Sequence, residues 1–327
     1  MCAAAYAQLN QRVEWDNRII ADFDQYADEH QGLSDVSEDY IMDLTADSSF
    51  ISSLPRDIFD LVLLDLPSLP SAFPELAELN QLIDGRSSFQ DLQDLVYNIT
   101  PNTNVRRFLY GSVKGYSKYF PHHTPLSDKD ERQLMIDIID PVLQGAFEVF
   151  GMSRDLPDAN TGVDFIVRDS NACQLVLAGC SAMYETDMRK FVADRWRLSR
   201  AMKDTFDTTM TTYAESVLPH SRYSVFGIQI FDRKVTFLQM DFRKRYRLWQ
   251  LAWVHIPTSL TEFERNFSRY ITKSLCFAKL VGDEVRCRNN QDPLPFERVI
   301  ALQRAARRLA PTTPPPPISP TPSSPHQ

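Results

Sequence analysis

Two stretches of the 327-residue chain carry side chains of a kind that bind phosphate. In DFRKRYRLW, alternation along a strand places Arg243, Arg245 and Arg247 on one face. Their spacing of about 7 Å is the scale of successive phosphates on a nucleic-acid strand. Asn104 to Phe120, NVRRFLYGSVKGYSKYF, interleaves Arg106, Arg107 and Lys114 with Phe108, Tyr110, Tyr116, Tyr119 and Phe120. Cations neutralise phosphates and rings stack on bases, so this texture also fits nucleic acid. A solvated domain edge has the same texture, and the arginine stripe has a further candidate ligand in the chain's own acidic leader.

A third stretch points to a protein partner. DIFDLVLLDL, residues 57–66, mixes carboxylates with large apolar side chains. One reading is a short helix over 56–65 whose Ile58, Leu61, Val62 and Leu64 pack on the main domain. The other is an acidic-hydrophobic motif that inserts Phe59, Leu61 and Leu64 into a partner's groove. Other chemistry is sparse. No Gly-rich phosphate loop, GxSxG, HExxH or DxDxDG sequence is present, and ten glycines in the chain argue against a Rossmann or P-loop nucleotide site. His122 and His123 are adjacent, so they point apart and are poor joint metal ligands. Cys2, Cys173, Cys180, Cys276 and Cys287 are odd in number and lack CxxC spacing, the usage of reduced thiols in an intracellular protein, cytoplasmic or nuclear.

Apolar residues make up 43% of the chain, enough for a sizeable core. No apolar run reaches the roughly 18 to 20 residues of a membrane span, and no secretory signal pattern opens the chain. The net charge of −8 hides a division. Residues 1–100 hold 19 acidic and 4 basic side chains with no lysine, a net of −15; the remainder, 24 acidic and 31 basic, carries +7. Three parts follow: an acidic, partly helical or disordered leader (1–100), an α+β domain (101–310), and a disordered tail (311–327) with eight prolines in seventeen residues.

Hydrophobic periodicity fills in the α+β domain. Val163–Val167 and Cys173–Leu177 flank the turn tripeptide Asp169-Ser170-Asn171 and read as a hairpin. From Asp187 to Tyr213 apolar residues recur at helical spacing. Asp232-Arg233-Lys234 then turns Tyr223–Phe231 into Val235–Met240, and Tyr246–Ile256 adds a strand. Helices are expected over 127–150 with a kink at Pro141, over 259–280, and over 295–309; helical pieces over 74–98 break at Gly85. The expected fold is therefore α+β, a central mixed or antiparallel sheet flanked by helices.

The hairpin VDFIVRDSNACQLVLAGCS, the helix ending near MKD, and the phrases VFGIQIF and VTFLQMDFRKRYRLW resemble the PD-(D/E)XK nuclease-like core found in uncharacterised fungal proteins, across roughly residues 127–280. The resemblance implies a restriction-endonuclease-like fold in which clustered carboxylates hold Mg²⁺ and a lysine supports the attacking water. Carried onto this chain, it makes Glu131 the helix acid and Asp164 the strand aspartate, with Asp164 and Glu185 as metal ligands and Lys190 as the cation; Asp187 and Lys203 are near alternatives. Each of these also has an ordinary role at a cap or on a solvated helix face. Where the family places Glu-x-Lys, this chain has Ala178-Gly179-Cys180-Ser181. The expectation is therefore an inactive nuclease-like domain without cofactor that binds nucleic acid or protein. The alternatives are an active Mg-dependent nuclease and a protein-interaction protein working through its acidic leader.

Overall fold

The computed structural model describes residues 17–30, 36–64, 66–86, 88–120, 135–155, 165–168, 174–180, 187–213, 223–243 and 245–289. The expected helix over 295–309 and the proline-rich tail lie outside them. The fold is α+β and grows from the hairpin of β5 (Ser224–Phe231) and β6 (Lys234–Arg243). Asp232 and Arg233 make its two-residue turn with φ of 43° and 59°, the left-handed pair that matches the twist of the flanking strands. Arg233 is held there: its carbonyl accepts from Ile256 N–H at 2.7 Å and its guanidinium lies 3.5 Å from Glu262. β7 (Arg245–His255) extends the meander antiparallel to β6.

On the other side of β5 lies β4 (Gln174–Cys180), parallel to it, followed by β3 (Phe165–Arg168) and β2 (Ser153–Asp155), both antiparallel to their neighbours. A parallel connection needs a crossover of a dozen residues or more. The long helix expected from Asp187 supplies it as α8 (Met188–Tyr213). The seventh strand, β1 (Ile41–Asp43), pairs parallel with β7, giving the order β1-β7-β6-β5-β4-β3-β2. β1 belongs to the acidic leader, so the boundary drawn at residue 100 from charge is not a boundary in the fold. Its three residues are too few to show alternation.

Side chains alternate across the sheet and so divide between two covers. Phe226, Ile228, Phe237 and Val254 face one cover, built from α4 (Pro74–Ile83), α5 (Phe89–Asn98), α6 (Asn104–Ser117), α7 (Asp140–Val149) and α9 (Leu260–Asn289). Rings dominate this core: Phe263 stacks on Phe267 at 4.1 Å between centroids and meets Tyr116 edge-on at 5.0 Å. Val225, Leu238, Met240 and Leu248 face α8, packing on Leu198, Met202 and Phe206. Gly227 admits the Met202 sulfur, which a Cβ would meet at 2.6 Å.

The leader makes a third cluster. α1 (residues 17–29), α2 (Ser49–Ser53) and α3 (Arg56–Leu64) bring Phe23, Tyr26, Phe50, Ile58 and Val62 onto Met42 of β1 and Trp249 of β7.

Two helices depart from expectation. The one expected over 127–150 is described from residue 135, as a π turn (Met135–Ile139) leading into α7; Pro141 lies in the first turn of α7, where its missing N–H costs nothing. The irregularity therefore sits before the proline. α6 passes so close to the π turn that a Cβ on Gly115 would lie 2.1 Å from the Asp137 carbonyl oxygen. The helix expected over 259–280 runs on, as α9, to Asn289. Gly282 does not end it because it lets Phe150 approach, and Lys279–Asp283 at 2.6 Å bridges the turn around it.

Candidate functional site

The carboxylate set implied by the nuclease resemblance falls largely outside the described residues: Glu131, Asp164 and Glu185 all do. Lys190 stands in the first turn of α8, half-buried. Lys203 is engaged elsewhere, 3.5 Å from Asp207 and over the Tyr246 ring. On β4, Val176 and Ala178 face the aromatic core and Leu177 faces α8, and Gly179 abuts Leu198. Among the described residues no three His, Cys, Asp or Glu side chains gather as metal ligands.

The arginine stripe is organised differently from its expectation. The chain reverses between Arg243 and Arg245, which pair across β6 and β7, so the three arginines do not alternate along one strand. The run FRKRYR contains no Gly, Pro or Asn to announce the reversal. Only Arg245 and Arg247 share a β7 face, and both are occupied. Arg247 donates from Nε and Nη2 to the Asp241 carboxylate at 2.7 and 2.8 Å, while its guanidinium lies over Trp249. Arg245 donates from Nε and Nη2 to Asp24 of α1 at 3.1 and 2.9 Å, with Tyr40 beneath it. The acidic leader thus supplies the partner of Arg245, in the fork geometry that suits a carboxylate as well as a phosphate.

The basic and aromatic stretch is helix α6, and most of its rings are core. Phe108, Tyr116, Tyr119 and Phe120 are buried, which removes them as stacking platforms for bases. Val105, Phe108, Leu109, Ser112, Val113 and Tyr116 recur at three and four residues, the period that marks this helix in the sequence. Arg106 lies 3.6 Å from Glu78, Arg107 donates to Asn104, and Lys114 lies over Tyr110. Next to α6 the buried Asp137 accepts from Lys118 at 2.5 Å and from the Tyr119 hydroxyl; burial and that carboxylate hold the phenol well above its ordinary range.

One buried cation had no signal in the sequence. Arg195 is 4% exposed on the inner side of α8. It donates to Gln229 of β5 and to Thr45 Oγ1 at 3.0 Å, and Asp43 of β1 lies 3.9 Å away. Burial lowers its pKa, which Asp43 and Asp47 partly restore. Arg195 therefore ties α8, β5 and the leader's strand together.

The exposed apolar side chains of α3 are of another kind. Ile58 and Val62 are its buried anchors. Phe59 is half-buried beneath Arg56, and Leu63 and Leu66 are 48% and 44% exposed. The Leu61 and Leu64 side chains lie outside the described residues. Leu63 on α3 and Leu66 just beyond its end are the exposed apolar side chains here, whereas Phe59 packs against the leader's core and the nearby Asp57 and Asp60 are paired with Arg18 and Arg56. Leu63 and Leu66 were missed; once Ile58 and Val62 point inward, helical spacing turns Leu63 away from them, whereas Leu66 lies beyond the helix and has no such signal.

Comparison of the chain with models of protein families, with curated proteins and with solved structures finds no match.

Proposed function

We propose that this chain acts by binding rather than by cutting, as a nuclease-like α+β protein whose acidic leader presents α3 to a protein partner. The observation that carries this is the half-exposed Leu63 on a helix anchored by Ile58, Phe59 and Val62, with the half-exposed Leu66 just beyond its end. A helix that keeps an apolar residue in water beside its buried anchors fits an apolar groove on a partner. Nucleic acid is the weaker choice because Arg245 and Arg247 are already forked onto carboxylates and the α6 rings are internal. The nuclease-like ancestry draws support from the order α7, β2, β3, β4, α8, β5, an antiparallel meander followed by a parallel strand. Loss of cutting draws support from the run Ala178-Gly179-Cys180-Ser181, which has neither carboxylate nor lysine where the family places Glu-x-Lys.

A reducing, intracellular setting, cytoplasmic or nuclear, goes with this reading. Cys276 is a buried free thiol whose pKa burial raises, and no helix among the described residues is long and apolar enough to cross a membrane.

The test uses the full chain and a Leu63→Ala/Leu66→Ala variant, both shown folded by circular dichroism. Proteins captured from an extract are purified and titrated against each. At least one should bind the variant ten-fold or more weakly; equal binding of every one to both proteins would contradict the proposal.

A further inference from the structure

The outer edge of β7 is only half used by the fold. β1 pairs with Tyr246–Leu248 alone, and the last bond on that side runs from Leu44 N–H to the Leu248 carbonyl at 2.8 Å. Trp249 is then buried under the helices of the leader. From Gln250 to His255 no strand among the described residues pairs with this edge; Gln250, Leu251, Ala252 and Trp253 are half-buried and His255 is exposed. Leu251 has no opposite number in β6, a bulge in the ladder. Beyond it Ile256 N–H donates to the Arg233 carbonyl, so Ile256 turns its backbone inward and, by alternation, His255 and Trp253 turn theirs out. Outward N–H and C=O groups in a row are a template for a further strand.

Beside this edge stand cations with no anion to hold. α9 begins four residues after β7 ends and runs back along it, with Glu262 beside Arg233 and Glu284 accepting from Ser224 N–H. Its Arg265, Arg269 and Lys273, at i, i+4 and i+8, make no hydrogen bond or ion pair among the described residues. The Arg269 guanidinium lies 5.2 Å from the centre of the Trp253 ring, which sets the stripe next to the edge while leaving its donors open. Glu264 lines a cleft with α4 and α5 on another side of the helix, and Lys234, the other cation over Trp253, already faces Asp47 at 3.6 Å.

We infer that the outer edge of β7 accepts an extended acidic peptide of a partner protein as an eighth strand, its backbone on Trp253 and His255 and its carboxylates on Arg265, Arg269 and Lys273. Side chains on one face of a strand recur about every 7 Å, and the cations of the stripe about every 6 Å along the helix. Carboxylates at alternate positions of the peptide therefore keep step with them. A second copy of this chain is the wrong occupant, because two β7 edges paired about a two-fold axis bring the same cations together from both copies. The inference stands on β7 and α9 and does not depend on the reading of α3.

Fluorescence anisotropy on the full chain tests this with a labelled peptide of about seven residues that alternates Glu with Val or Thr. Two controls are the same peptide with Lys in place of Glu and the acidic peptide with its amides N-methylated. The acidic peptide should bind, the two controls should bind at least ten-fold more weakly, and hydrogen exchange at the Trp253 and His255 amides should slow in the complex. Arg265→Glu/Lys273→Glu, on the outer face of α9 and shown folded by circular dichroism, should weaken binding at least ten-fold. Failure of the acidic peptide to bind would overturn the inference, as would binding that the variant leaves intact. Equal binding of the N-methylated peptide, or unchanged exchange at Trp253 and His255, would overturn it by showing a charged patch without strand addition. Tighter binding of a single-stranded DNA oligomer that competes with the peptide would overturn it in favour of nucleic acid.

Discussion

The leader meets the rest of the chain in two ways. Along β1 and α1 it is joined by charge: Asp24 fills the fork of Arg245, and Asp43 and Thr45 face the buried Arg195. Along α3 it is joined by apolar anchors and leaves Leu63, and Leu66 just beyond the helix, half in water. The contrast teaches where recognition can reside. A guanidinium already holding a carboxylate must give it up to take another anion, while Leu63 and Leu66 gain from any apolar surface that removes them from water, at about 25 cal/mol per Å² buried. The conspicuous cations are largely internal hardware, and the quieter leucines form the open surface.

The largest break in this picture comes from Arg195. Arg195→Met leaves Asp43, Thr45 and Gln229 facing an apolar side chain, and urea denaturation should show a loss of about 3–5 kcal/mol. A loss under about 1 kcal/mol would mean that Arg195 does not join the leader to the sheet. A matched pair on α3 sharpens the contrast within one helix. Ile58→Ala should cost about 2–5 kcal/mol, whereas Leu63→Ala should stay within about 0.5 kcal/mol of wild type. Equal costs would place Leu63 in the core.

Asp24→Asn should lower stability by about 0.5–1 kcal/mol at low salt, with the difference shrinking as ionic strength rises, since this pair is partly exposed. The same substitution takes the carboxylate charge out of the Arg245 fork, so it should also raise any salt-sensitive binding of single-stranded DNA in a gel shift; unchanged binding would show that the arginine edge is not a masked phosphate site.

The smallest effect is one of pH. Partial burial raises the Glu262 pKa, but hydrogen bonds from Thr258 N–H at 2.8 Å and Oγ1 at 2.7 Å, with Arg233 nearby, bring it below its ordinary value. A depressed carboxylate contributes stability above its unfolded pKa and loses it as pH falls through the folded one. Glu262→Gln should therefore cost at most a few tenths of a kcal/mol near pH 7, since the site is partly exposed, and the difference should fade as pH drops below the ordinary glutamate range, followed by thermal melts.

The sequence was most readable where one period runs long. The alternation of β5 and β6, the turn at Asp232 and Arg233, and the 26-residue spacing of α8 all announce themselves, and the α+β class follows. What was hidden depends on partners far away in the chain. Nothing local marks Ile41–Asp43 as a strand, because its ladder lies about two hundred residues on in β7. Arg195 sits among charged neighbours on α8 and differs from them only by facing Gln229 and Thr45. On α6, charge and aromaticity masked a core period, so rings that pack Phe263 looked like rings for bases. On α3 the apolar content was plain, but which leucines face outward follows only from the burial of Ile58 and Val62.

The most direct measurement is cross-linking from position 63. A photoreactive residue replaces Leu63 in the full chain, the protein is irradiated in a cell extract, and adducts are mapped by mass spectrometry. The account predicts adducts joining position 63 to another polypeptide. Absence of any adduct, or adducts formed only within one chain, would contradict it.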